Sequence, residues 1–186
     1  MHNIIVGASF SGKTNLAKFF ANQAHKKGED ILVFDPRKSG GWPDGAKKYS
    51  SPEKFLNDFW KLEKHHVFID EAKVLFDFDI KGAEKIAYQG RHNGHLVYFI
   101  GQRAMSMIPP NARNQCGKVF AFKQSKKDSD TLADEYNDIL SQCVTLKKVH
   151  FIFSDGFACG KAKLVFETKE NDSIQKPPKI EVLKNE

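Results

Sequence analysis

The sequence predicts an α/β domain with a mainly parallel central sheet flanked by helices and a β-hairpin near the C-terminus. Two observations carry this. Five short runs are apolar throughout rather than alternating: Ile4-Ile5-Val6, Ile31-Leu32-Val33-Phe34, Val67-Phe68-Ile69, Leu96-Val97-Tyr98-Phe99-Ile100 and Val119-Phe120-Ala121-Phe122. Such runs suit strands covered on both faces. Helical patterns separate them, and strands alternating with helices build parallel sheets with right-handed crossovers.

Taken in order, the first strand runs into a glycine-containing stretch and then Asn15 to Lys26, where Leu16, Phe19, Phe20 and Ala24 fall at helical spacing. After the second strand, Ser51-Pro52-Glu53 offers a hydroxyl cap, a first-turn proline and an early acid, and leads into Phe55, Leu56 and Phe59. Ala83 to Gln89 reads as a helix with Gly90 near its end. Past Gly117 the pattern changes. Ser129 to Cys143 is predicted as one helix, and Val149 to Phe153 with Lys161 to Phe166 flank Asp155-Gly156 as a hairpin. Residues 1–167 are therefore expected to form a single domain, and 168–186, polar and carrying Pro177-Pro178, a mobile or partner-bound tail.

Composition narrows the function. The 186 residues hold 29 basic and 23 acidic side chains, a surplus of +6 that permits a polyanionic partner without demanding one. Cys116, Cys143 and Cys159 have no paired spacing, which favours a reducing compartment over a disulfide framework or structural zinc. His65, His66, His92 and His95 lack ligand spacing and are expected to be structural. No apolar run approaches the roughly 18 residues of a membrane span, and Met1-His2-Asn3 leads straight into a strand, so neither secretion nor anchoring is expected.

The strongest motif is Gly7-Ala8-Ser9-Phe10-Ser11-Gly12-Lys13-Thr14, a GxxxxGK[ST] pattern between a strand and a helix. Glycines let backbone N–H groups turn inward on a phosphate, and the helix that follows offers its positive end. Lys13 would reach the β- and γ-phosphates, and the Thr14 hydroxyl would bind Mg²⁺.

A second constellation is the strand His65 to Ile69 ending in Asp70-Glu71. Adjacent residues at a strand tip point different ways, so Asp70 can serve Mg²⁺ while Glu71 orients or deprotonates water. The strand Ile31 to Phe34 intervenes between the phosphate loop and this one. An added strand together with a glutamate beside the strand-end aspartate resembles the additional-strand, catalytic-glutamate (ASCE) division of P-loop NTPases, with a RecA-like core.

Gly90-Arg91-His92-Asn93-Gly94, the strand Leu96 to Gly101, and Gln102-Arg103 follow. With the phosphate loop and Asp70-Glu71, this stretch resembles the FtsK–HerA superfamily of DNA-pumping ATPases over about Asn3 to Asp130. Ala104 stands where that family often has proline, with Pro109-Pro110 just downstream, and the large accessory domains of cellular members are missing. The stripped-down chain most resembles viral (phage) genome-packaging ATPases of small, membrane-containing DNA viruses. The resemblance implies an ATP-hydrolysing translocase that packages viral DNA into a capsid as an oligomeric ring, a hexamer, with ATP and Mg²⁺ as cofactors. Implied partners are further copies of the chain, DNA and capsid or portal-vertex proteins, in the host cytoplasm or at the packaging vertex of the virion. It also implies that Gln102 senses the γ-phosphate and that Arg91 completes a neighbour's site, with Arg113 as second candidate and Arg103 pairing near Gln102.

Only Arg37, Arg91, Arg103 and Arg113 are arginines, and three of the four lie between 91 and 113. That clustering suits sites needing a planar guanidinium. The pairs Lys26-Lys27, Lys47-Lys48, Lys126-Lys127 and Lys147-Lys148 read first as solvated faces, and the loop Asp35 to Trp42 is of a kind that can meet DNA. The alternatives are a filamentous-phage DNA-extrusion motor, which generally carries a membrane segment, a small P-loop nucleotide kinase with the 91–113 arginines as its lid, and a nucleotide-dependent assembly module with little turnover.

Overall fold

The computed structural model describes residues 1–166 and 178–183. Among the described residues nine strands form one sheet: β1 (His2–Val6), β2 (Asp30–Phe34), β3 (Lys47–Tyr49), β4 (His65–Ile69), β5 (Leu96–Gly101), β6 (Cys116–Ala121), β7 (His150–Ser154), β8 (Cys159–Val165) and β9 (Lys179–Leu183). Their spatial order is β3-β2-β4-β5-β1-β6-β7-β8-β9. The first six pair in parallel, and β7, β8 and β9 continue the sheet antiparallel. Among the described residues seven α-helices accompany it: α1 (Lys13–Lys26), α2 (Pro52–Phe59), α3 (Ala72–Phe78), α4 (Ile80–Gln89), α5 (Ala104–Met107), α6 (Pro110–Arg113) and α7 (Lys126–Glu135).

The continuous apolar runs are explained by burial on both faces. Ile5, Ile31, Val33, Phe68 and Tyr98 pack with Leu16, Ala17 and Ala21 of α1. Ile4, Leu32, Phe34, Val67 and Phe99 pack on the other side with Phe55 and Phe59 of α2, Leu75 of α3 and Ile86 of α4. Alternate residues of each strand thus feed opposite cores, as a period of two requires. The Ser51 hydroxyl accepts from the Lys54 N–H and starts α2 at Pro52, as the sequence predicts.

The hairpin is present, its turn held by Asp155 Oδ1 accepting from the Phe157 and Ala158 N–H groups. Two expectations change. Residues Ser129 to Cys143 are not one helix: α7 ends at Glu135, and after an extended Asn137 the chain resumes as a 3₁₀ helix over Asp138–Thr145. The Asn137 side chain accepts from the Ile139 N–H and so caps a new start instead of continuing the old helix. Lys179–Leu183, read as part of the polar tail, pairs with β8 as a sheet edge, while residues 167–177 and 184–186 lie outside the described residues. Among the described residues no helix is long and apolar enough to cross a membrane.

Candidate functional site

Parallel strands deliver their C-terminal tips to one edge, and there the predicted motifs meet. In the sheet β5 lies between β1 and β4, so the phosphate loop after Val6, the Asp70-Glu71 turn and Gln102 occupy adjacent tips. Backbone bonds splice them: Gly7 N–H to Gly101 O at 3.3 Å, Ala8 N–H to Lys123 O at 2.9 Å, and Asp70 N–H to Phe34 O at 2.8 Å.

The loop is shaped as a cradle. A Cβ on Gly7 would lie 2.5 Å from Phe122 Cβ and 2.8 Å from Ser11 Oγ, so only glycine fits. Gly12 has φ 113° and precedes α1 without any side-chain cap, leaving the first helical N–H groups open to an anion. The Ser11 hydroxyl is buried and, among the described residues, has no hydrogen-bond partner. Lys13 Nζ, for its part, donates to the Ala8 carbonyl at 2.9 Å across the mouth of the loop. Burial pushes its pKa down, opposed by the nearby Glu71 and Asp70 carboxylates. An orphaned hydroxyl, uncapped amides and a buried ammonium together fit a polyphosphate. Phe10, at φ 60°, stands out 91% exposed at the crest of the loop.

Thr14 Oγ1 donates to Asp70 Oδ2 at 3.1 Å. Asp70 Oδ1 also accepts from the Glu71 N–H at 3.1 Å. Burial raises the Asp70 pKa to about 6, against the lowering effect of the Thr14 bond. A hydroxyl and a desolvated carboxylate are the hard oxygen ligands Mg²⁺ prefers, and the pair fits that ion. Glu71 takes a left-handed φ of 53° as it enters α3, which sets its side chain apart from that of Asp70. Gln102 joins the loop directly, its Oε1 accepting from Ser9 Oγ at 3.2 Å. Phe10, Lys13, Thr14, Asp70, Glu71 and Gln102 all border one cavity of about 680 Å³, within the range of ligand sites.

No family model matches this sequence, and no curated protein sequence matches it. Solved structures do. The genome packaging NTPase B204 of Sulfolobus turreted icosahedral virus 2, in complex with AMPPCP, superposes with a TM-score of 0.68 at 17% identity over 86% of this chain and 95% of that one. The chain shares the fold of that NTPase. The pCW3 conjugation coupling protein TcpA matches with a TM-score of 0.64 at 16% identity, over 86% of this chain and 59% of that one. VirB4 of Thermoanaerobacter pseudethanolicus gives 0.63 at 10% identity, over 85% and 87%.

The arginines divide. Arg91 is exposed in the 3₁₀ turn Gly90–Asn93, where β5 begins. The six residues of β5 put it about 20 Å from its own chain's phosphate loop, too far to reach a nucleotide bound there. Arg113 requires correction as a candidate: it is 3% exposed, forks onto Glu135 at 2.6 and 2.8 Å, and donates to the Ala104 and Ile108 carbonyls. With its donors committed inside the fold, it is a structural residue. Arg103 is exposed and, among the described residues, makes no ion pair, so the expected pairing near Gln102 is not found.

Sequence reasoning did not assign to the site seven residues of this cavity's lining, Asn15, Lys18, Arg37, Ser39, Lys148, Val149 and Phe166. Arg37 NH2 lies 3.0 Å from Glu71 Oε1. Its rarity among 29 basic residues was the available signal. Trp42, in the same loop, is 5% exposed and packs on Phe68, so it is not a free stacking surface.

Proposed function

We propose that this chain is a Mg²⁺-dependent ATPase that uses hydrolysis to move DNA. The observation that carries the reading is the Thr14 hydroxyl on the Asp70 carboxylate at 3.1 Å, beside Lys13 and with Glu71 next in sequence. Lys13 exchanges the Ala8 carbonyl for the terminal phosphates of ATP, and the orphaned Ser11 hydroxyl gains a partner there. Thr14 and Asp70 would hold Mg²⁺, which would supply positive charge against the phosphates. Glu71 takes the proton of the attacking water, and Gln102, one hydrogen bond from Ser9, positions that water and reports the γ-phosphate.

The finer reading is a ring of copies, a hexamer, that packages viral DNA into a capsid with capsid or portal-vertex partners, in the host cytoplasm or at the virion vertex. The likeness to B204, named as a genome packaging NTPase and spanning 95% of that chain, supports it. The likeness to TcpA, named as a conjugation coupling protein, supports the broader role in DNA handling. Arg91, remote from its own loop, is the residue proposed to reach a neighbour's γ-phosphate.

The deciding experiment measures phosphate release with and without DNA for the parent and for Glu71→Gln. The variant is expected to bind ATP normally and to lose hydrolysis by about 10²-fold or more. Normal turnover in Glu71→Gln removes Glu71 from the mechanism. Phosphate transfer to a nucleoside monophosphate in place of water turns the reading to a kinase.

A further inference from the structure

The hairpin joining β7 to β8 carries Phe157 at its tip, fully exposed. The turn beneath it is firmly built. Asp155 Oδ1 accepts from the Phe157 and Ala158 N–H groups at 3.2 and 2.8 Å. The Asp155 N–H donates to the Ala158 carbonyl at 3.1 Å, and Lys118 pairs with the other carboxylate oxygen at 3.7 Å. A preorganised turn loses little freedom when the aromatic side chain it presents is buried, which is what an interface anchor requires.

The same chain offers a receptacle. A second cavity, of about 310 Å³, opens where the loops after β2 and β3 meet, bordered by Lys38, Gly40, Gly41, Trp42, Lys48 and Tyr49. Its wall is mostly apolar, and its volume is at the small end for binding sites. Asp35 also borders it, but its oxygens are filled by donors from Arg37, Ser39 and Trp42. Asp44, exposed in the same loop, stands outside the lining. The charges left at the wall are the ammonium groups of Lys38 and Lys48, which favour the face of an aromatic ring.

One copy cannot bring tip and cavity together. Because β7 runs antiparallel to β6, the tip lies at the sheet edge opposite the phosphate loop, while the cavity lies at the phosphate-loop edge. From the first strand of the sheet, β3, to the eighth, β8, there are seven spacings, about 33 Å. Two copies can. Arg91, proposed to reach a neighbour's nucleotide, precedes β5 at the same edge as Phe157. The tip, between the seventh and eighth strands, stands about 17 Å from the fourth, β5. The cavity, between the first and second, stands about 17 Å from the fifth, β1, which carries the phosphate loop. A single edge-to-edge approach therefore accommodates both contacts.

We propose that the chain self-associates head to tail, with Phe157 of one copy seated in the β2–β3 cavity of the next. A protrusion matched to a pocket elsewhere on the same molecule makes a contact of this kind. The inference rests on the ring reading above and names the surfaces the assembly uses.

Sedimentation velocity of the full chain over a range of concentrations, with magnesium and a non-hydrolysable ATP analogue, measures the association. Phe157→Ser is expected to raise the dissociation constant at least about ten-fold, with Tm unchanged because Phe157 has no burial to lose. Phe157→Trp keeps the association. Gly40→Trp, at a position where an added Cβ meets nothing of the fold, fills the cavity and matches Phe157→Ser. The two substitutions together do no more than either alone. Cys159 is an exposed thiol beside the tip, whereas Cys116 and Cys143 are buried. A short thiol–amine cross-linker is therefore expected to join Cys159 to Lys38 or Lys48 in the dimer band. Association unchanged in Phe157→Ser or in Gly40→Trp overturns the contact, as do dimer-band links from Cys159 that avoid both lysines. Those outcomes leave the ring reading standing. A parent that stays monomeric at every concentration fails the ring reading and the contact with it.

Discussion

Arg113 and Glu135 form a forked ion pair, 2.6 and 2.8 Å, that fastens the short helix α6 to the end of α7. The guanidinium also donates to the Ala104 and Ile108 carbonyls, and the Tyr136 hydroxyl donates to the Arg113 carbonyl at 2.7 Å. The Glu135 bonds, and secondarily its charge, hold the Arg113 pKa above its ordinary value. Removing one member strands the other together with two backbone acceptors. Arg113→Ala is expected to lower stability by about 3 kcal/mol, or about 6–12 °C in Tm for a chain of this size. Hydrolysis per folded molecule should stay within about two-fold, because the pair lies outside the nucleotide cavity. Calorimetry beside an activity assay checks both, and a large loss of turnover with unchanged Tm would return Arg113 to the catalytic candidates.

Gly7 tests the cradle. An added methyl meets Phe122 Cβ at 2.5 Å, an atom one bond from backbone that cannot swing aside. Gly7→Ala is expected to cost about 1–3 kcal/mol and to weaken ATP binding by at least about ten-fold, because β1, Phe122 and the loop amides must shift together. A fluorescent nucleotide titration at a temperature where the variant stays folded separates the two effects. Unchanged affinity would mean that the loop amides do not contact phosphate.

Acid is expected to weaken the opposite end of the sheet. His2 is 1% exposed, accepts from the Val97 N–H through Nδ1, and among the described residues has no hydrogen-bond partner for Nε2. Burial first, then the positive N-terminus and Arg91, lower its pKa from 6.5 to about 4. A lowered histidine contributes nothing against stability above pH 6.5, where folded and unfolded chains are both neutral. Its penalty grows as pH falls from 6.5 toward 4, where only the unfolded chain takes up the proton. The loss is about 2 kcal/mol by pH 5, with His95, also lowered by burial, adding in the same direction. Urea unfolding at pH 7 and pH 5 measures it. His2→Asn, which keeps an acceptor for Val97, should reduce the difference, and an equal difference in that variant would place the acid sensitivity elsewhere.

Much of this was legible in the chain because the determining signals are local. The strand runs are apolar throughout as a result of being covered on both faces, and Ser51-Pro52-Glu53 begins a helix by its own chemistry. The spacing from Gly7 to Thr14 is readable as a phosphate loop from the chain alone, although Gly101, Phe122 and Lys123 brace it in space. What escaped depends on neighbours in space. β3 is three residues, two of them lysine, and becomes a strand only because β2 supplies its partner. Lys179–Leu183 is polar in company, but β8 offers it an edge. Arg37 meets Glu71 because β2 and β4 are adjacent, a fact that linear distance conceals. Arg113 misled for the opposite reason: its cluster suggested a shared task, and Glu135 had already claimed it.

β1 is the fifth of nine strands, bordered on each side by four others. The nucleotide cradle therefore grows from the hub of the molecule, the line least able to yield when load is applied. The loop bearing Arg37 hangs instead beside a three-residue strand at the rim. A force applied to that rim would loosen the three-residue β3 before it disturbed the phosphate loop at the centre of the sheet.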